Sequence, residues 1–251
     1  MEVHHAKVEK KSFKEYFLEG LMIFLAVTLG FFAENLREKI SNHEREINYM
    51  HGIVSDLKAD TSTIRQLKPR QGLLLKHFNA ALAIPPQQLH EPALQDSFFH
   101  HYMYFYSFVS YFITRNKTLS QLQNAGGLNI ISQQNVIDSI SELNLLYDYY
   151  LAADNHMYDD LYRKTNDAGA KVISCPPFMS SMKFPVPSIS HDLPVLITDD
   201  LTTIRELYNY INMEKGQLEQ CIFEQEIYRA KAESLITFID KKYHFDEEAK
   251  R

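Results

Sequence analysis

The chain has 251 residues, of which 45% are hydrophobic and 23% are charged, and its net charge is −6. This hydrophobic content is sufficient for a buried core and excludes a disordered chain, while the missing basic stripe argues against nucleic acid as a partner. With only eight Gly and nine Pro, and the prolines clustered, the sequence favours an all-α fold.

The first predicted element is a transmembrane helix over residues 16–36, preceded by a basic tail over residues 1–15. Fourteen residues between Glu19 and Glu34 carry no charge. A helix over residues 16–36 would be about 31 Å long, which matches the hydrocarbon core of a bilayer. Aromatic residues stand near both ends, as is typical of membrane interfaces: Tyr16, Phe17, Phe31 and Phe32.

The apolar run is predicted to be an uncleaved anchor. The bulky Phe31 stands where signal peptidase needs a small residue. Four lysines precede the span and three basic residues follow it. This weak excess predicts a cytoplasmic N-terminus and a periplasmic C-terminal domain.

A 3.5-residue apolar repeat, here called the seam, runs from the span into a predicted stalk helix over residues 37–68. Its membrane part consists of Glu19, Met22, Ala26, Leu29 and Ala33, and its later part of Leu36, Ile40, His43, Ile47, Met50, Val54, Leu57, Thr61 and Ile64. Two interpretations are open. Copies of the chain self-associate through residues 19–64 as in a coiled coil, or the stalk packs against the protein's own later helices while the span contacts only lipid.

Glu19 is the first residue of the seam and lies close to the N-terminal end of the predicted span. Ionisable residues within membranes often mark ion pathways, so one hypothesis is an oligomeric channel or ion-coupled assembly lined by Glu19. The alternative is a boundary carboxylate that reaches the aqueous interface.

Residues 69–251 are predicted to form a helical-bundle soluble domain, beginning with a short helix over Gly72–Ala83. The uncharged segment Ser97–Thr114 is long enough to span a membrane, but its Tyr, His and Ser favour an aromatic core helix. The later elements are a short helix at residues 117–122, a long helix at residues 132–165, a Pro-rich ordered loop at residues 173–197, and a final helix from Asp199-Asp200 to about Tyr243.

The sequence contains no phosphate-binding loop, Gly-x-Ser-x-Gly elbow or His-Glu-x-x-His motif, and neither an enzyme nor a cofactor is predicted.

Asp56 and Asp60 share a helix face. They form either an ion or partner site or hydrogen-bond acceptors for the end of another helix. The nearest approach to a metal site is Asp154, His156, Asp159 and Asp160, which we expect to be a solvated face, so no metal is predicted. His100 and His101 are expected to be core or rim residues.

The two cysteines, Cys175 and Cys221, lie 46 residues apart. A disulfide between them is compatible with an oxidising compartment. Two separate thiols are the simpler interpretation, because one pair in a chain of this length carries little information.

The order Glu19, an apolar run, Ala33-Glu34-Asn35-Leu36-Arg37-Glu38 and Asp56-Leu57-Lys58-Ala59-Asp60 resembles a family of single-pass membrane proteins of unknown function from Bacteroidetes. The segment from Thr118 to Ile131, followed by the Tyr-rich segment from Leu146 to Tyr150, is similar to a second family signature. The family usually has Trp where this chain has Leu36. The likeness covers about residues 15–150 and implies an N-terminal anchor and a helical domain, without an activity.

These features together predict a structural, scaffold or sensory interaction module. Its expected partners are the lipid bilayer and an unknown protein, with further copies of the chain as partners in the self-association interpretation.

Overall fold

The computed structural model describes residues 12–106, 109–124, 126–174 and 196–245. Six α-helices lie in these ranges: α1 (Phe13–Leu82), α2 (Pro92–Tyr106), α3 (Lys117–Asn124), α4 (Gln134–Leu145), α5 (Ala152–Val172) and α6 (Leu201–Tyr243). Short 3₁₀ turns occupy Pro86–Gln88 and Gly127–Ile130, and a π-helical segment occupies Leu146–Leu151. An isolated antiparallel bridge joins Ile173 to Leu196. The all-α prediction is confirmed.

Helix α1 is a single element of 70 residues. The expectation of a stalk that ends before Pro69 and a separate helix over Gly72–Ala83 is wrong. Proline removes one backbone hydrogen bond from an α-helix, and its ring clashes with a carbonyl of the preceding turn. Tertiary packing offsets that cost here. Gln71, Leu74 and Phe78, all just beyond the proline, are buried in the domain.

Helix α6 lies antiparallel to the second half of α1. The order of their contacts shows this, since Lys58 Nζ lies 3.4 Å from Asp240, Arg65 lies 2.6 Å from Glu233, and Gln71 donates to Gln225 at 3.0 Å. Its start agrees with the prediction, because Asp200 accepts from the backbone amides of Thr202 and Thr203 at 3.2 and 3.0 Å. Such an acceptor satisfies amides that a helix end leaves unpaired.

Helix α2 is an aromatic core helix, as predicted for Ser97–Thr114, although it is shorter and lies earlier in the chain. Its buried side chains are Phe98, Phe99, Tyr102, Met103 and Phe105. It has 15 residues, about 22 Å, which is too short to cross a bilayer. It approaches α5 closely at Gly169, where a Cβ atom would lie only 1.9 Å from Tyr102 Oη.

The long helix predicted for residues 132–165 extends from Gln134 to Val172, interrupted by the π-helical segment. A π-helical turn inserts an extra residue and is often found at functional sites. Here it turns Leu146 and Leu151 into the core while Tyr149 is 70% exposed.

The domain has two apolar cores along the α1–α6 pair. One contains Met50, Ile53, Val54, Leu57 and Ile64 of α1, with residues of α4 and the second half of α6. The other contains Leu74, Phe78 and Ala81 of α1, with residues of α2, α5 and the first half of α6. The fold is therefore a bundle built around one long helix that extends beyond it.

Candidate functional site

The N-terminal part of α1 extends beyond the bundle. Every residue from Ser12 to Ser41 is exposed, and the most apolar 18-residue window has a mean hydropathy of 1.9 with none of it buried. Large apolar side chains are exposed all along this part of the helix, for example Phe24, Leu29 and Phe31. A helix that is apolar on all sides requires an apolar environment. Among the described helices, α1 alone is long and apolar enough to cross a membrane, and it is compatible with a membrane anchor.

Polar contacts mark both ends of this apolar part. At its start, the Glu15 carboxylate accepts from the Ser12 backbone amide at 2.6 Å, an arrangement that favours helix initiation. At its other end, Arg37 pairs with Glu34 at 2.5 Å. The pair reduces the cost of placing an acid at the end of an apolar helix.

The structure divides the seam into two parts. Glu19, Met22, Ala26, Leu29 and Ala33 are exposed, and the following seam residues remain exposed as far as His43. From Met50 to Ile64 the seam residues are buried in the chain's own core. Those later residues are not available to a second copy, so any self-association along the seam is restricted to residues 19–43.

The second half of the predicted stalk is part of the domain. Glu46 is the first buried residue of α1, and its carboxylate accepts from the Ser132 amide at 2.7 Å, from the Ser132 hydroxyl at 2.9 Å and from the Tyr243 hydroxyl at 2.7 Å. It thus joins α1 to the start of α4 and the end of α6. The sequence offered no signal for this role, because its partners lie 86 and 197 residues away.

Asp56 and Asp60 both bind the segment that leads into α3. Asp56 accepts from the Thr118 amide at 2.9 Å, beside a close approach in which a Cβ on Gly52 would lie 2.6 Å from Thr118 Cγ2. Asp60, which is 1% exposed, accepts from the Arg115 amide at 2.9 Å, from the Tyr228 hydroxyl at 2.9 Å and from the Thr114 hydroxyl. Of the two interpretations given above, this geometry corresponds to acceptors for another helix's end.

Burial, and to a smaller extent the charge of Asp56, raises the pKa of Asp60, while its three donors oppose that shift. A cavity of about 30 Å³ lies beside the two carboxylates, enough for about one water molecule. Since both Asp60 oxygens already accept protein donors, the arrangement favours a structural role.

We expect Asp60→Ala to lower the free energy of unfolding by about 2–4 kcal/mol, since it leaves the buried Tyr228 hydroxyl and Arg115 amide without their acceptor. Asp56→Ala removes one such contact, at the N-terminus of α3, and should cost only about 1 kcal/mol. Urea denaturation followed by circular dichroism measures both values. Equal losses for the two variants would contradict the assignment of the central role to Asp60.

Glu214 on α6 is fully buried between α6 and α5. Neither of its carboxylate oxygens has a hydrogen-bond partner of normal geometry among the described residues. Burial raises the pKa of Glu214 to about 8, and the nearby Thr165 hydroxyl opposes only part of that shift. A buried carboxyl of this kind stays protonated at neutral pH.

The acidic cluster at residues 154–160 is not assembled as a metal site. Asp159 pairs with Arg163 at 2.8 Å, Asp160 pairs with Lys164 at 2.7 Å, and Asp154 accepts from Gln217 at 3.0 Å. Among the described residues, the group that does come together is His77, His100 and His101. Sequence reasoning missed it because His77 and His101 are 24 residues apart, on two helices, and form no spacing motif.

No protein-family model matches the chain, and neither a curated protein nor a solved structure is significantly similar to it. The resemblance to a Bacteroidetes family therefore stays a prediction. Function has to be inferred from the residues and contacts of this chain.

Cys221 is buried in α6, and burial raises the pKa of its thiol to about 12. A thiol of this kind is inert, because the thiolate is the reactive form. Its possible bond partner Cys175 and most of the predicted Pro-rich loop lie outside the described residues.

Proposed function

We propose that the chain is a single-pass bacterial inner-membrane protein whose helical domain acts as a scaffold or sensory interaction module. The observation that carries this proposal is the uninterrupted exposure of residues 12–41, within which residues 20–33 carry no charge on any side of α1. Membrane fractionation tests the anchor, and the mass of the protein in detergent tests the choice between a scaffold and a channel.

The same helix belongs to both the anchor and the domain. Between Leu36, the end of the proposed span, and Glu46, the first buried residue, α1 continues without a break. These ten residues measure about 15 Å, so the domain would lie close to the membrane surface. A continuous helix is stiffer than a flexible linker, and it would couple any movement or assembly of the span to the α1–α6 pair.

The proposed orientation places residues 1–15 in the cytoplasm and the domain in the periplasm. It depends on the four lysines before the span, Lys7, Lys10, Lys11 and Lys14, against Arg37, Lys39 and Arg45 after it. Short basic segments tend to remain on the cytoplasmic side.

An exposed aromatic surface on the domain supports the interaction role. Leu145, Tyr149 and Tyr150 are 60%, 70% and 49% exposed at and beside the π-helical turn. Tyrosines are enriched in protein interfaces because they combine a large apolar area with a polar end. A partner protein is the occupant that we propose for this surface.

The alternative function is an oligomeric channel or ion-coupled assembly in which Glu19 lies on the membrane part of the seam. What favours it is the combination of an acid with Ala26 and Ala33 on one exposed face, since small residues allow close approach of helices in membranes.

If copies associate along this face, Ala26→Leu combined with Ala33→Leu should lower the mass of the protein in detergent to that of a monomer, because the bulkier side chains separate the helices. Insertion should be unaffected, since Leu is at least as apolar as Ala. Val27→Leu is the matched control and should leave the mass unchanged. Sedimentation of the detergent complexes measures the result, and a monomeric wild type would exclude the channel.

Glu19→Gln separates the two functions in an assembly that proves oligomeric. The change keeps the shape and hydrogen-bonding capacity of the side chain but removes its charge. Loss of ion flux with unchanged mass would favour the channel, and unchanged mass with unchanged physiology would favour the scaffold.

A further inference from the structure

Three histidine side chains meet where the end of α1 packs on α2. His77 Nδ1 lies 2.9 Å from His101 Nδ1. One ring nitrogen from each of His77, His100 and His101 lies within 4.8 Å of the other two. The three rings have centroid distances between 5.1 and 5.8 Å.

We propose that His77, His100 and His101 bind a divalent transition-metal ion, with Zn²⁺ as the best-suited case. Imidazole nitrogen is a preferred ligand of zinc, copper and nickel. Zinc–nitrogen bonds of about 2.0–2.1 Å in a tetrahedral site separate two ligand nitrogens by roughly 3.4 Å. The 2.9 Å between the His77 and His101 nitrogens is shorter than this value, and all three nitrogens lie within 4.8 Å of one another, so small side-chain rotations are sufficient. The proposal does not depend on the membrane anchor.

The surroundings of His77 prepare it for this role. Its ring stacks on the Tyr104 ring at a centroid distance of 3.9 Å and an angle of 6°, which limits the orientations of the imidazole. The adjacent Phe78 is fully buried and stacks on Phe105, so the backbone that carries His77 is held in the core. A ligand held in this way loses little conformational freedom when it binds an ion.

Two of the three rings, those of His77 and His101, have lowered pKa values. Burial, followed by the charges of His101, His100 and Lys76, lowers the pKa of His77 to about 4. Burial, followed by the charges of His100 and Lys76, lowers the pKa of His101. Neutral imidazole is the form that binds metals, so the lowered pKa values of His77 and His101 favour binding. Lys76 is the cationic neighbour that opposes the ion, and its side chain is exposed.

The site is open on one side. His100 is exposed while His77 and His101 are half-buried, and no Cys, Asp or Glu among the described residues joins the three ligands. Three protein ligands leave the fourth position of zinc to water or to a group from outside. His77 lies 41 residues beyond Leu36, about 60 Å along α1 from the proposed span.

A hydrogen-bonded His77–His101 pair without a metal is the competing explanation, and His100 distinguishes the two. The pair needs only the nitrogens of His77 and His101. The metal site needs all three rings. His100 is exposed, so its replacement should not disturb folding.

The experiment uses the full chain in detergent, without a histidine tag and after treatment with EDTA. ZnCl₂ is titrated in competition with a chromophoric chelator, and the thermal midpoint is measured with and without Zn²⁺. We expect one Zn²⁺ per chain and a midpoint that rises with Zn²⁺, because binding to the folded state stabilises it. His77→Gln, His100→Gln and His101→Gln should each weaken binding at least about ten-fold, since even loss of an outer-shell partner costs 10–100-fold.

The matched control is His156→Gln on α5, an exposed histidine in the acidic cluster, which should leave the affinity unchanged. Circular dichroism verifies that each variant is folded. Absence of stoichiometric binding by the wild type would overturn the proposal. So would a His100→Gln variant that binds Zn²⁺ as tightly as the wild type, and that variant keeps the test decisive if His77→Gln does not fold.

Discussion

Deletion of residues 1–40 should convert a membrane-bound protein into a soluble, helical one. The deleted part is exposed along its described length, and burial in the domain begins only at Glu46, so its loss removes no core contact. A span of about twenty apolar residues gives practically irreversible membrane insertion. The full chain should therefore pellet with membranes after a high-salt wash, and residues 41–251 should remain in the supernatant with an unchanged proportion of helix.

Protease added from the periplasmic side of intact spheroplasts should digest the domain of the full chain, because the proposed orientation exposes it there. A truncated protein that still pellets would show a second membrane-binding element. Digestion only after lysis would show that the domain lies in the cytoplasm, and it would not contradict the proposed anchor.

Glu214→Gln should make the stability of the domain much less dependent on pH. The pKa of Glu214 is raised to about 8 in the folded state from an ordinary value near 4.5, so the folded protein binds more protons than the unfolded chain between these values. The contribution of Glu214 to the free energy of unfolding is then fully present below pH 4.5 and falls by about 1.4 kcal/mol per pH unit as pH rises towards 8. Gln is not titratable. The free energy of unfolding of Glu214→Gln, relative to that of the wild type, should therefore rise by several kcal/mol across this window.

Urea denaturation of the soluble fragment between pH 5 and pH 8.5 measures this difference. Other titrating groups, Asp60 among them, remain in both proteins and cancel in the comparison. Glu219→Gln is the matched control, because Glu219 is on the same helix but is exposed and paired with Lys215. A difference between Glu214→Gln and wild type that stays constant with pH would show that Glu214 has an ordinary pKa in the folded protein.

Local composition was sufficient to predict the apolar N-terminal helix and the fold class. A bilayer imposes a minimum apolar length, which can be counted along one segment without knowing any other. The start of α6 could also be predicted from local sequence, because a capping aspartate accepts hydrogen bonds from amides only two and three residues away. The aromatic segment around Phe98 could be assigned to the core because its polar rings suit a protein interior better than lipid.

The seam shows where such reasoning fails. A 3.5-residue repeat fits a helix that faces another copy, and it fits equally well a helix that faces its own domain. Only the packing of α3, α4 and α6 against α1 decides that Met50 and Leu57 are core residues while Ala26 and Ala33 remain exposed. The passage of α1 through Pro69 has the same origin, since the packing of Leu74 and Phe78 offsets a local preference to end the helix.

The sequence by itself determined the properties that depend on neighbouring residues: the apolar span, the helical periodicity and the cap of α6. The tertiary structure alone decided that Asp60 binds Tyr228, that Glu214 is buried, and that His77 meets His101. The physical reason is distance along the chain. Each of these sites depends on groups brought together from separate helices, and the packing of those helices is a property of the whole core rather than of any local pattern.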